Sequence, residues 1–221
     1  MIGAVTEDAI TIRWFTDQPG LGTVQYGLDP QSLTGSVSES APTTDHEVRL
    51  TGLAGSTKYY YAVVSGTDLV AGVEYYFQTA PGACEPYRFA VFGDTRGATA
   101  LCDNFSDWQK VAQMIDQAEP RMVLGTGDYV YAGEKSDCWD NWFDAASGLL
   151  RHTVLFPAIG NHDYETQSYT DENNLGLKNF VRWFAVPEGP EAGKITTYYG
   201  FTFGNARFIV YDTYKDHSTG S

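Results

Sequence analysis

Arg121-Met122-Val123-Leu124-Gly125-Thr126-Gly127-Asp128-Tyr129-Val130-Tyr131 decides the fold: an apolar run is followed at once by a glycine and an acid. A short run with no polar alternation reads as a strand covered on both faces. Two further segments repeat the pattern. Residues 87–92 lead into Gly93-Asp94, and residues 153–159 lead into Gly160-Asn161-His162-Asp163. Their oxygen-bearing side chains recur at 94, 128 and 161, separations of 34 and 33 residues. Between the first two runs, Trp108, Val111, Ala112 and Ile115 fall at i, i+3, i+4 and i+7, which predicts a helix. Ser106 with Gln109 reads as a capping box, and Pro120 stands beyond the expected end. A second crossover spans 136–150, where Trp139, Trp142, Phe143 and Ala146 supply another helical stripe. Three strands joined this way run parallel, and right-handed crossovers bring their C-terminal ends to one edge of the sheet. Asp94, Asp128 and Asn161 are therefore expected to converge there.

Carboxylates, an amide carbonyl and a phenol are oxygen donors, a set that suits hard or borderline cations. Without a cation, clustered acids repel and their pKa values rise. Two metals about 3.5–4 Å apart can clamp the attacking and leaving oxygens of an in-line displacement at phosphorus. Phosphoester hydrolysis is the chemistry that matches.

The order Gly-Asp, then Gly-Asp-x-x-Tyr, then Gly-Asn-His and an acid resembles the metallophosphoesterases, and the Tyr131 spacing resembles their purple acid phosphatase branch. The resemblance covers roughly residues 85–215, and three ordered motifs are far more specific than one. It implies that Asp94 binds the first metal, Asp128 bridges the pair, Tyr131 ligates Fe(III), and Asn161 binds the second metal, which is Fe(II), Zn or Mn. His162 then contacts phosphate or the leaving group, with Asp163 orienting it. The expected fold is multidomain: a fibronectin-like sandwich followed by the front half of a four-layer α/β/β/α metallophosphoesterase domain.

Two departures qualify the resemblance. Arg96 stands two positions after the first Asp, where the family has Gly or a ligand His. It either binds substrate phosphate or pairs with a neighbouring acid. The family's later Val-x-x-His and Gly-His-x-His motifs do not occur, and the four histidines are His46, His152, His162 and His217. The chain is therefore expected to be part of a longer hydrolase of phosphate monoesters and inactive alone. Alternatives are a phosphodiesterase or nucleotidase of the same superfamily, and a non-catalytic surface or adhesion module.

Residues 1–81 differ in kind. Ile10, Ile12 and Trp14 alternate with Thr11 and Arg13; Val24 with Tyr26, Val48 with Leu50, and Tyr59, Tyr61 and Val63 follow suit. Such short strands predict an antiparallel sandwich. Residues 53–63 resemble a fibronectin type III loop and strand, whose Tyr bonds back to the upstream turn. Residues 82–86 form the linker, and 87–221 the catalytic unit.

Composition excludes some partners. The balance of 14 basic to 28 acidic side chains, net −14, opposes binding of nucleic acid or an anionic membrane through a basic face. The expected partner is a phosphorylated small molecule or other phosphoester. No run is long enough to span a bilayer, and residues 1–7 have neither the charged start nor the apolar core expected of a signal peptide. An extracellular or periplasmic location is implied by the resemblance alone. Cys84, Cys102 and Cys138 show no Cys-x-x-Cys spacing. Cys102 and Cys138 flank loops that follow motifs, so they either pair or stay as buried thiols like Cys84.

Overall fold

The computed structural model describes residues 1–97, 102–164, 173–187 and 197–214. Eight strands come first: β1 (Ile2–Gly3), β2 (Ala9–Gly20), β3 (Gly22–Gly27), β4 (Gly35–Ser38), β5 (Thr43–Thr51), β6 (Lys58–Ser65), β7 (Asp68–Val70) and β8 (Tyr76–Gln78). They make two antiparallel sheets, ordered β1-β2-β5 and β4-β3-β6-β7, with β8 also paired to β6. Alternation explains the sandwich: on β5, His46, Val48 and Leu50 point inward while Asp45, Glu47, Arg49 and Thr51 are exposed. Tyr59 bonds back as expected, its hydroxyl accepting from the Ala54 amide at 2.9 Å.

The second unit comprises β9 (Phe89–Phe92), α1 (Ser106–Gln117), β10 (Met122–Gly125), α2 (Ser136–Ala145), α3 (Ser147–Leu150), β11 (Val154–Pro157), α4 (Leu175–Trp183), β12 (Tyr199–Phe203) and β13 (Ala206–Val210). Strands β11, β10 and β9 form a parallel sheet in that order, with Met122 opposite both Phe89 and Val154. β12 and β13 form an antiparallel hairpin. The period-two rule then sorts β10 and β11 into two cores. Val123 and Leu155 face the helices, among Trp108, Trp139, Trp142 and Phe180. Met122, Val154 and Phe156 face the opposite way, onto Tyr199, Phe201 and Phe203 of the hairpin. Phe156 stacks on Phe201 at 3.6 Å between ring centroids. Each such fully buried side chain contributes about 1.5–3 kcal/mol.

That second core does not stop at the second unit. Ile2, Phe77 and Ala80 of the sandwich belong to the same cluster as Met122 and Phe156. Polar contacts reinforce the seam: Tyr61 Oη donates to the Arg151 carbonyl at 2.7 Å, and Arg121 Nη2 to the Thr79 carbonyl at 3.0 Å. Arg13 does most. Its Nη1 donates to the carbonyls of Val181, Arg182 and Phe184 at 2.6, 2.8 and 3.0 Å, while Nε pairs with Glu47 at 2.6 Å. It thus satisfies the carbonyls that the end of α4 leaves open and sets a positive charge against the negative helix terminus.

Three expectations need correction or completion. β9 is not covered on both faces, since Phe89 is 47% and Val91 56% exposed at the sheet edge. Ser106 does not cap α1; Phe105 holds the cap position with no side-chain bond, and the Ser106 amide is instead taken by Asn104 Oδ1 at 3.1 Å. Cys102 and Cys138 form a disulfide, and Cys84 is an exposed free thiol.

Two outcomes follow for stability. Replacing Cys102 and Cys138 by Ser opens a crosslink with a sequence separation of 36, and denaturant unfolding should register a loss of about 3–4 kcal/mol. Arg13→Ala removes three charge-assisted bonds across the seam. The same measurement should show a loss of about 2 kcal/mol.

Candidate metal centre

Each of the three parallel strands stops short of its motif, and backbone pairing carries the alignment onward into the loops. The Thr126 amide donates to the Phe92 carbonyl at 2.9 Å, Asp94 to Gly127 at 3.1 Å, Arg96 to Asp128 at 3.1 Å, and Ala158 to Gly125 at 2.7 Å. The loops after β9, β10 and β11 are therefore zipped side by side rather than splayed. Asp94 and Asp128 take the same unusual backbone conformation, with φ of 53° and 56°. For a side chain other than Gly this left-handed region costs about 1–2 kcal/mol, and Asp tolerates it better than most residues. Strain of this kind persists where surrounding contacts enforce it, and it gathers at working sites.

The contacts that enforce it are specific. Gly127 and Gly160 meet backbone to backbone, and a Cβ on Gly127 would lie 2.5 Å from the Gly160 nitrogen. A Cβ on Gly160 would lie 2.3 Å from Asp128 Oδ1. Both glycines are required by this approach. Asp128 is buried and its carboxylate reaches both neighbouring loops: Oδ1 accepts from the His162 amide at 3.0 Å, and Oδ2 lies 3.3 Å from Arg96 Nε. Of the two readings of Arg96, pairing with an acid is the one seen here, and its guanidinium also lies 5.7 Å from the centre of the Tyr131 ring.

Tyr131 is half-buried and packs against His162, with ring centroids 4.9 Å apart. His162 Nδ1 lies 3.0 Å from the Tyr131 carbonyl. A carbonyl can only accept, so Nδ1 carries the proton, and the neutral ring then holds its lone pair at Nε2. Asn161 is half-buried and Asp94 exposed on the same lip.

Asp163 departs from expectation. Its carboxylate does not orient the His162 ring. It is fully buried: Oδ2 accepts from the amides of Asp128 at 2.8 Å and Gly160 at 2.9 Å, and Oδ1 from Tyr129 at 2.9 Å and Val130 at 3.3 Å. Burial pushes its carboxyl up to about 7 against the pull of the Gly160, Val130 and Tyr129 amides. The Tyr131 carbonyl, not Asp163, holds the imidazole.

Sequence reasoning passed over several supporting residues. Trp142 of α2 donates to Thr95 Oγ1 at 2.9 Å, and Asn141 to the Cys102 carbonyl at 2.8 Å, so α2 steadies the loop that carries Asp94. Beyond β13, buried Asp212 accepts from the hydroxyls of Tyr164 and Thr197 and from the Tyr214 amide. The Tyr164 hydroxyl is held well above its ordinary pKa, by burial first and then by its bond to Asp212. Asp212 was signalled by the pattern already used, an apolar run of strand type followed by an acid.

The four candidate ligands are all oxygen donors, the chemistry a hard metal takes. They do not complete a metal site: among the described residues no three His, Cys, Asp or Glu come together as a metal-binding group. His217 lies outside the described residues. Among the described residues no helix is long and apolar enough to cross a membrane.

Both units of the chain are similar to known proteins. Residues 2–79 match the purple acid phosphatase N-terminal domain, and residues 87–219 the calcineurin-like phosphoesterase domain. Purple acid phosphatase 15 of Arabidopsis thaliana is 28% identical over 94% of this chain and 47% of its own length. Purple acid phosphatase 13 of the same plant is 28% identical over 80% of this chain and 37% of its own. The chain thus spans about half or less of the curated relatives it matches. The solved purple acid phosphatase PPD1 from yellow lupin (Lupinus luteus) seeds aligns over 100% of this chain and 45% of its own, with a TM-score of 0.77 and 20% identity. The structure of PhoD aligns over 96% of this chain and 51% of its own, with a TM-score of 0.68 and 16% identity, a likeness of fold. The match over residues 87–219, more than half of the chain, makes it a purple acid phosphatase-like member of the calcineurin-like phosphoesterase family.

Proposed function

We propose that this chain carries the first three motifs of a phosphate monoester hydrolase that uses a dinuclear metal centre. The observation that supports this reading most is the Asp128 carboxylate, wedged between the loops that follow β9 and β11 at the edge where three parallel strands end. In this reading Asp94, Asp128, Tyr131 and Asn161 hold Fe(III) and a second ion, Fe(II), Zn or Mn. When bound, the pair supplies Lewis acidity toward phosphoryl oxygen and lowers the pKa of a bound water.

The chain's own residues supply the rest. With Nδ1–H committed to the Tyr131 carbonyl, His162 donates from Nε2 only as the imidazolium: Nε2–H passes its proton to the leaving alkoxide and the ring is left as the neutral Nδ1–H tautomer. Arg96 offers a planar guanidinium that can turn from Asp128 to a phosphate once cations neutralise that carboxylate. Such local positive charge is needed because the chain as a whole, at −14, repels phosphorylated substrates. Asp163 lies outside this chemistry.

The proposal extends to organisation and compartment. The sandwich occupies 1–81, and its alternating strands suit a fibronectin type III-like module; 82–86 connect it to a catalytic unit beginning at 87. The disulfide between Cys102 and Cys138 suits an oxidising compartment, hence an extracellular or periplasmic location.

Two measurements on the protein that carries this chain test the reading. Asp128→Asn should lower turnover of an aryl phosphate monoester by more than the roughly 10–100-fold that substitutions outside the ligand shell cost. Activity equal to the unsubstituted protein would refute it, and preferential cleavage of the matching diester would reassign the substrate class. Tyr131→Phe should abolish the visible charge-transfer band of the iron-loaded protein while leaving its unfolding curve intact; a retained band removes Tyr131 from the ligand set.

A further inference from the structure

Asp163 is a carboxylate that the proposed chemistry does not use, yet both of its oxygens are held by backbone N–H groups. It takes four backbone N–H bonds, two on each oxygen, which accounts for the acceptor capacity of a carboxylate. The donors come from both sides of the candidate centre. Asp128, Tyr129 and Val130 follow β10, whereas Gly160 follows β11 and immediately precedes Asn161.

We propose that Asp163 is a positioning residue: it binds the two loops to one another and thereby sets the separation between Asp128 and Asn161. The inference rests on the phosphoesterase reading for what the two side chains do, and on hydrogen bonds alone for how they are placed.

The geometry explains why an acid is needed here rather than any polar group. An amide in its place turns an NH₂ toward two backbone N–H groups, so Asn satisfies at most two of the four donors. The two amides left over are buried and unpaired, a cost that falls on the loop carrying Asp128 or the one carrying Asn161. Added length is no remedy. Gly133 packs so tightly on this segment that a Cβ there would lie 1.8 Å from the Asp163 carbonyl oxygen, so the backbone has no room to retreat. The neighbouring Tyr164 donates to Asp212 beyond β13, which anchors the same segment from the other direction. Two metals about 3.5–4 Å apart need ligands fixed to within a fraction of that spacing. A bracket on peptide groups, rather than on the ligand side chains, fixes those ligands while leaving their oxygens free to coordinate.

The test compares Asp163→Asn with Arg13→Ala in the protein that carries this chain, reading Mn²⁺ affinity by calorimetry and unfolding by denaturant. Arg13→Ala lies at the seam and serves as a control for loss of stability. Asp163→Asn should weaken Mn²⁺ binding by about 10–100-fold, with Arg13→Ala leaving it unchanged. Unaltered Mn²⁺ affinity in Asp163→Asn, or equal weakening in both variants, overturns the assignment. If Asp163→Asn does not fold, amide hydrogen exchange on the unsubstituted protein decides. The Asp128, Tyr129 and Gly160 amides should be as protected as those of β10, and exchange at open-loop rates overturns the proposal. An unsubstituted protein that binds no Mn²⁺ yet protects these amides instead indicts the metal reading and leaves the bracket standing.

Discussion

Burial of β10 on both faces is the constraint on which the rest of this structure depends. A strand with Val123 toward the helices and Met122 toward the hairpin has no solvent face, so its register cannot slip by one residue without turning each core inside out. Because β9 and β11 pair with it in parallel and in register, fixing β10 fixes where all three strands end. The loops that follow inherit the alignment through further backbone bonds. The position of the acids is thus a result of core packing some distance away, transmitted along peptide groups.

The same logic shows what was legible in the sequence. The Met122 and Val154 segments could be read because double burial leaves an unmistakable run of apolar residues, and parallel order follows from the crossovers between them. β9 shares that composition, yet Phe89 and Val91 are largely exposed, since composition reports what a strand is able to bury and not what lies beside it. Ser106 carried the right residue type for a cap, but Asn104 took its amide, a contest between neighbours that no spacing rule arbitrates.

Within the site, residue type was readable and role was not. Asp163 is an acid beside a histidine, an adjacency that reads as a pair; the fold turns its carboxylate inward to four peptide groups and gives the imidazole a carbonyl instead. Arg96 was equally open between two partners until the loop after β9 was seen to lie against Asp128. Contacts between segments some 30 residues apart depend on loop conformation, including the left-handed turns at Asp94 and Asp128. Those turns leave only a glycine as their trace in the sequence.

The joint hydrophobic cluster formed by Ile2, Phe77 and Ala80 with Met122 and Phe156 has a mechanical corollary. A protease nick between β8 and β9 would sever the covalent tether without freeing either fragment, because Arg13, Tyr61 and Arg121 still grip the far side. The amino-terminal module therefore acts as ballast for the lip of the parallel sheet: heat that melts one should melt the other, in a single event rather than two.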